Sequence, residues 1–164
     1  MKRTPFTLVE IVMVVALIAV LTGIAIGGYS YAMSASRESA TRAAIKQLEA
    51  ALESGKIKHG FYPASASMPS SGSDHVIQLF GANGAEISDA ELATKWGNLP
   101  AKYIKDFRSA LDMESLRANI SAEGYVCDAW GNPIVYKAPD GKNPYSLRSK
   151  GPDGEDDGGD DITN

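Results

Sequence analysis

Along the first sixty residues the spacing of apolar and polar positions changes once. Ile11 to Gly28 is an apolar run of 18 residues without a charge, long enough to cross a bilayer as a helix. Beyond it the apolar positions narrow to a stripe. Ile45, Leu48 and Leu52 recur at three- and four-residue spacing, with Ala40, Ala44 and Ala51 beside them and Arg37, Arg42, Lys46, Glu49 and Glu53 among the polar positions. That is the pattern of an amphipathic helix with one buried face. No proline interrupts Phe6 to Tyr62, and Gly60 and Pro63 supply a stop. Together the two stretches predict one helix from Phe6 to about Lys58, on the order of 80 Å long at 1.5 Å per residue. Half of it requires an apolar surround and half backs a globular domain.

The remainder reads as a mixture. Ala64 to Asp74 is rich in Ser, Gly and Pro and predicts a loop. His75 to Phe80 is a short apolar stretch of ambiguous type. Asp89 to Lys95 predicts a short helix capped by Ser88 or Asp89. Tyr103, Ile104, Phe107, Leu111 and Leu116 are spaced as in a helix or helix–turn over Lys102 to Leu116. Ala118 to Ser149 reads as β, with Val126, Ile134, Val135 and Tyr136 as strand formers. Asp128-Ala129-Trp130-Gly131-Asn132-Pro133 predicts one turn and Pro139-Asp140-Gly141-Lys142-Asn143-Pro144 a second, leading into Tyr145 to Ser149. The expected fold class is α+β, a small antiparallel sheet on the outer half of the long helix.

Charge sharpens the picture at both ends. Lys2 and Arg3 precede the apolar run, so the positive-inside rule keeps them cytoplasmic and sends everything after Tyr29 across the inner membrane. A secretory signal with a cut near Ser30-Tyr31-Ala32 fits the basic start, but the apolar stretch is too long for it and Glu10 is misplaced. A plain anchor explains the length and ignores Glu10, an expensive carboxylate at the mouth of an apolar helix that calls for a partner. The net charge is −4, with six acids and no base from Asp153 to Asn164, so the acidity is local. No basic patch points to nucleic acid as the main partner. Cys127 stands alone, which excludes an intramolecular disulfide; it reads as a small buried apolar side chain. His59 reads as a surface residue at the helix end, and His75 as a loop residue after Asp74. Neither lies at metal-ligand spacing, and nothing in the spacing makes a nucleophile–base pair, so no enzyme is expected.

Phe6-Thr7-Leu8-Val9-Glu10 resembles the start of the mature chain in type IV pilins and type II secretion pseudopilins. The resemblance implies cleavage between Pro5 and Phe6 by a prepilin peptidase, methylation of the new amine, and neutralisation of Glu10 in an assembled fibre by the ammonium of a neighbour's Phe6, the pairing a buried charge requires. Pro5 departs from the glycine normal at that position. It removes a backbone donor and fixes φ, and a membrane-extracted chain still beginning at Met1 would count against processing. Gly23 and Gly27 form a small-xxx-small pair, read either as close helix packing or as ordinary glycine usage. Gly27-Gly28, at about 1 kcal/mol of helix preference each, stand where pseudopilins often carry a softening proline. His59-Gly60-Phe61-Tyr62-Pro63 is similar to the G-x-Y-P that closes the pseudopilin helix.

The tail reads either as a solvated acidic run or, because Gly151, Gly154, Gly158 and Gly159 let carboxylates converge, as a site for a hard divalent ion such as Ca²⁺. An EF-hand is excluded: from Asp153 its twelfth position is Asn164, not the bidentate Glu. The Asp128–Pro133 turn, Tyr145-Ser146-Leu147, Gly151-Pro152-Asp153-Gly154 and Asp160-Asp161-Ile162 resemble the C-terminal pattern of type II secretion major pseudopilins. That resemblance implies one structural Ca²⁺ held by side chains of Asp153, Asp160 and Asp161 and the backbone carbonyl of Lys150, with Glu155 a further candidate. It implies a leader over 1–5, an assembly helix over 6–29 and a periplasmic domain over 30–164 with its calcium loop at 147–164. The implied function is a structural subunit of a periplasmic pseudopilus, a homopolymer working with minor pseudopilins and an inner-membrane assembly platform. The alternatives are a type IV pilin-like subunit for adhesion, motility or DNA uptake, which the absent disulfide and acidic loop disfavour, and a membrane-anchored Ca²⁺-binding protein that never polymerises. The middle region, 64–117, has no counterpart in the pattern.

Overall fold

The structure is a computed structural model that describes residues 7–64, 66, 68–138, 145–156 and 158–164, with the side chains of 25–27 excepted. Pro5, Phe6 and the second turn, Pro139 to Pro144, lie outside the described residues. The chain divides into two compact units, Met1–Ser36 and Arg37–Asn164.

Helix α1 spans Leu8–His59, within two residues of the predicted start. Its beginning is set by a reciprocal capping box. Glu10 Oε2 accepts from Thr7 N and Thr7 Oγ1, both at 2.9 Å, and Thr7 Oγ1 accepts from Glu10 N at 3.3 Å. This satisfies helix-end donors that have no partner inside the helix. Its stop is Gly60, whose φ of +86° suits a residue without Cβ and whose N–H returns to Lys56 O at 2.8 Å. The helix runs unbroken through Gly27-Gly28. In the first unit its apolar side chains, from Leu8 to Ile24, are exposed. The helix is long and apolar enough to cross a membrane.

In the second unit Ile45, Leu48, Ala51 and Leu52 of α1 are buried, the stripe that the three- and four-residue spacing gives. They pack in one core with Val126, Ile134, Tyr136, Leu147 and Ile162. That core also takes Ile77, Leu79, Phe80, Leu92, Trp96, Tyr103, Ile104, Phe107 and Leu116. The middle region is therefore built into the head rather than appended to it. Helix α2 is Asp89–Lys95, capped by Ser88, whose side chain accepts from Glu91 N. The Lys102–Leu116 stretch is two helices, α3 (Ala101–Arg108) and α4 (Met113–Arg117), the second opened by Asp112, whose carboxylate accepts from Ser115 N at 3.2 Å.

Strands β1 (Ser70–Ser71) and β2 (Asp74–His75) form a two-stranded hairpin inside the stretch expected to be a loop. Its turn glycine, Gly72, has φ +63°, and four polar residues at this spacing carry no hydrophobic alternation to betray a strand. His75 is accordingly a strand residue. The ambiguous stretch after it is extended, bridging Val76 to Val135, Gln78 to Tyr125 and Phe80 to Glu86. The main sheet is β3 (Val135–Lys137), β4 (Ser146–Ser149) and β5 (Ile162–Thr163), antiparallel in that order. Residues 118–133, expected to be β, contribute isolated bridges only: Ile120 to Val126 and Cys127 to Pro133, besides that of Tyr125 to Gln78. Strand β5 was not expected. It lies at the end of the acidic tail, paired Ser149 to Ile162 and Arg148 to Thr163.

Candidate functional site

The β4–β5 register places Lys150 and Asp161 at the two ends of one loop, 150–161, whose stems are fixed in the sheet. Within it Gly151, Gly154 and Gly159 have φ of +67°, +71° and +86°, the left-handed backbone that only glycine adopts without strain. The curl folds the tail back on itself. Asp153 N donates to Asp160 Oδ2 at 3.4 Å, and Glu155 N donates to Asp153 Oδ1 at 2.9 Å. A Cβ on Gly158 would overlap Asp153 Oδ2 and lie 2.8 Å from Asp160 Oδ1. Two carboxylate oxygens therefore converge over a residue that leaves them room. Asp160 Oδ1 is buried and has no hydrogen-bond partner among the described residues, which is costly for a carboxylate oxygen unless a cation meets it.

Two of the other acids meet bases of the chain itself, although Asp161 Oδ1, like Asp160 Oδ1, is buried without a hydrogen-bond partner among the described residues. Arg148 pairs with Asp156 at 2.5 Å and with Asp161 at 3.5 Å. Lys150 Nζ bridges Asp74 of β2 at 2.9 Å and Asp156 at 3.3 Å. The bond to Asp74, and then that to Asp156, hold the Lys150 ammonium above its ordinary pKa. Of the expected ligands the structure thus brings together Asp153 and Asp160. Asp161 lies beside Arg148, and Glu155 is exposed. Among the described residues no three Asp, Glu, His or Cys side chains form a metal-binding group. The donors that do converge are two carboxylates on a glycine-rich curl, hard oxygens of the type that a calcium-class cation takes.

Behind the loop stands a residue that the sequence reading placed in a turn and did not assign to the site. Asp128 is 1% exposed, and its carboxylate is shared between the turn that follows it and Ser149 of β4. An Asp two residues before Trp130 and three before a glycine was the available signal, since such a side chain often bonds to its own turn.

The isolated reactive groups are engaged elsewhere. Cys127 is buried, and burial, then the neighbouring Asp128 charge, pushes its thiol up to about 11. His59 is not a surface residue. Its side chain is 13% exposed and lies 3.0 Å from Asp106 of α3, with its ring 5.2 Å from that of Tyr103. The sequence reading missed this because Asp106 is distant along the chain and no local spacing announces it.

An unbroken helix, apolar and exposed in its first half and core-forming in its second, with an α+β head closed by an acidic loop, is the arrangement of a pilin-like fold. Residues 103–164 match the family described as type II secretion system (T2SS), protein G. The type II secretion system core protein G of Escherichia coli K12 is 27% identical over 99% of this chain and 91% of its own length. Its namesake in Pseudomonas aeruginosa PAO1 is 26% identical over 97% and 90%. No solved structure matches the chain. Over nearly its whole length the chain is similar to type II secretion core protein G.

Proposed function

We propose that this protein is the protomer of a periplasmic pseudopilus, held in the inner membrane by the first half of α1 until assembly. The observation that carries the reading is the match to two secretion core proteins over nearly the whole chain, with the Glu10-led apolar helix inside it. The type IV pilin alternative is not favoured, because both relatives are named for secretion. In this reading a prepilin peptidase cuts between Pro5 and Phe6 and the new amine is methylated. Glu10, held by Thr7 at the helix start, then meets the amine of a neighbouring protomer, and the exposed apolar faces of α1 pack together. Head-to-tail contacts of this kind extend a filament rather than close a ring. Minor pseudopilins and an inner-membrane assembly platform are the expected partners.

The loop 150–161 holds one structural Ca²⁺ in this proposal. Asp153 and Asp160 are the first ligands, the Lys150 carbonyl and Asp161 join them, and Glu155 is a further candidate. Support comes from the convergence of Asp153 and Asp160 and from the buried Asp160 oxygen. Bound cation would fix the loop to the sheet. The function is tested by overexpressing the full chain in a secretion-competent cell and imaging filaments. Wild type should form them and Glu10→Ala should not. Filaments of normal abundance from Glu10→Ala would refute the assembly role.

A further inference from the structure

We infer that Asp128 is the buried anchor that sets the shape of the cation loop, acting through Ser149 as a positioning residue and not as a ligand. The inference rests on the calcium reading above. A buried carboxylate needs its lone pairs filled, and the side-chain bonds of Asp128 go to its own turn and to Ser149 at the end of β4. Oδ1 accepts from Trp130 N and from Asn132 N, both at 2.9 Å. Oδ2 accepts from Ser149 Oγ at 2.6 Å.

Ser149 is fully buried, and a hydroxyl has one proton and two lone pairs. Its proton is committed to Asp128, so the oxygen faces the loop as an acceptor and takes Gly151 N–H at 3.1 Å. That N–H belongs to the Lys150–Gly151 peptide. The peptide is planar, so fixing its N–H fixes the direction of the Lys150 carbonyl, the candidate backbone ligand. On the other side of Gly151, Asn132 Nδ2 donates to Gly151 O at 2.8 Å. Ser149 and the turn organised by Asp128 therefore grip the two peptide groups of the residue where the chain leaves β4. Asp160 lies directly over that residue: a Cβ on Gly151 would sit 2.7 Å from Asp160 O and 2.9 Å from its Oδ2. Asp128 thus controls the seat of Asp160 and the aim of Lys150 without touching the cation.

The test uses the full-length chain in detergent, stripped with chelator and titrated with Ca²⁺ by calorimetry, well below the chelator melting temperature of every variant. Ser149→Ala removes the relay. Asp128→Asn keeps an oxygen for the turn but presents an amide donor to Ser149, leaving the hydroxyl proton without its acceptor. Both should weaken Ca²⁺ affinity tenfold or more. A purely structural role would lower the chelator melting temperature and leave the dissociation constant alone. Wild-type affinity in both variants, with binding lost in Asp153→Ala, overturns the anchoring role and leaves the calcium reading standing. No Ca²⁺ uptake by the wild type overturns both. Should Asp128→Asn not fold, Ser149→Ala, which removes one oxygen, decides the matter alone.

Discussion

Asp106 shows how one side chain ties the end of α1 to the middle region. Its hydrogen bond from His59, reinforced by Lys58 at 3.3 Å, holds its carboxyl below the ordinary value of 3.8. A carboxyl depressed by folding contributes stability above its unfolded pKa and loses it as pH falls through the folded value. The head should therefore weaken as pH falls below about 4, and Asp106→Asn should flatten that part of a plot of melting temperature against pH. An unchanged acid limb would show that the pair contributes nothing. Gly124 is a sterner constraint. It has φ +86°, and a Cβ there would lie 2.5 Å from Phe80 C and 3.0 Å from Gly81 O. Backbone cannot yield as a side chain tip can, so Gly124→Ala should cost about 3 kcal/mol or more, in the class of severe point mutants. Denaturant unfolding of the head measures it. Glycine identity at 124 was visible in the sequence, but the reason for it was not, because the clash is with a chain segment more than forty residues away.

At the scale of the element, α1 is two helices in its energetics and one in its geometry. Leu48 is fully buried, whereas Leu17 is 60% exposed. Leu48→Ala should destabilise the head by about 2–5 kcal/mol through lost burial and the cavity left behind. Leu17→Ala should leave head stability within about 0.5 kcal/mol. Equal effects in chemical denaturation would contradict this division. The helix was legible from its pattern because apolar periodicity and the glycine stop are local signals. The cap of α2 was narrowed to Ser88 or Asp89 for the same reason, and it is Ser88. The hairpin β1–β2 and strand β5 were not. Each is two residues long, and strands that short are specified by the partner they pair with rather than by their own alternation.

For the molecule as a whole, the question is how a head of modest size with one free thiol holds its last strand in place. Strand β5 has two residues and is reached by a loop that carries most of the local negative charge. Small exported domains commonly need a disulfide or a metal to make up for a limited core. Ligand binding to the folded state alone stabilises it by mass action, about 2.7 kcal/mol at a hundredfold excess over the dissociation constant. Excess chelator should therefore lower the melting temperature of the head by roughly 5–15 °C and open residues 150–161 to protease. Identical melting and digestion with and without chelator would remove the metal from the account.

Sequence by itself determined the apolar helix, its amphipathic continuation, the buried cysteine and the acidic glycine-rich tail, because each is written in contiguous residues whose spacing or composition has a direct physical meaning. It also placed Asp153 and Asp160 among the candidates. The tertiary structure alone decided that those two converge while Asp161 lies by Arg148, that His59 is clasped by Asp106, and that Asp128 and Ser149 stand behind the loop. The reason is the same in each case. Partners separated by many residues meet only once the core has fixed the backbone, and a carboxylate's role is set by which donors the fold then places around it.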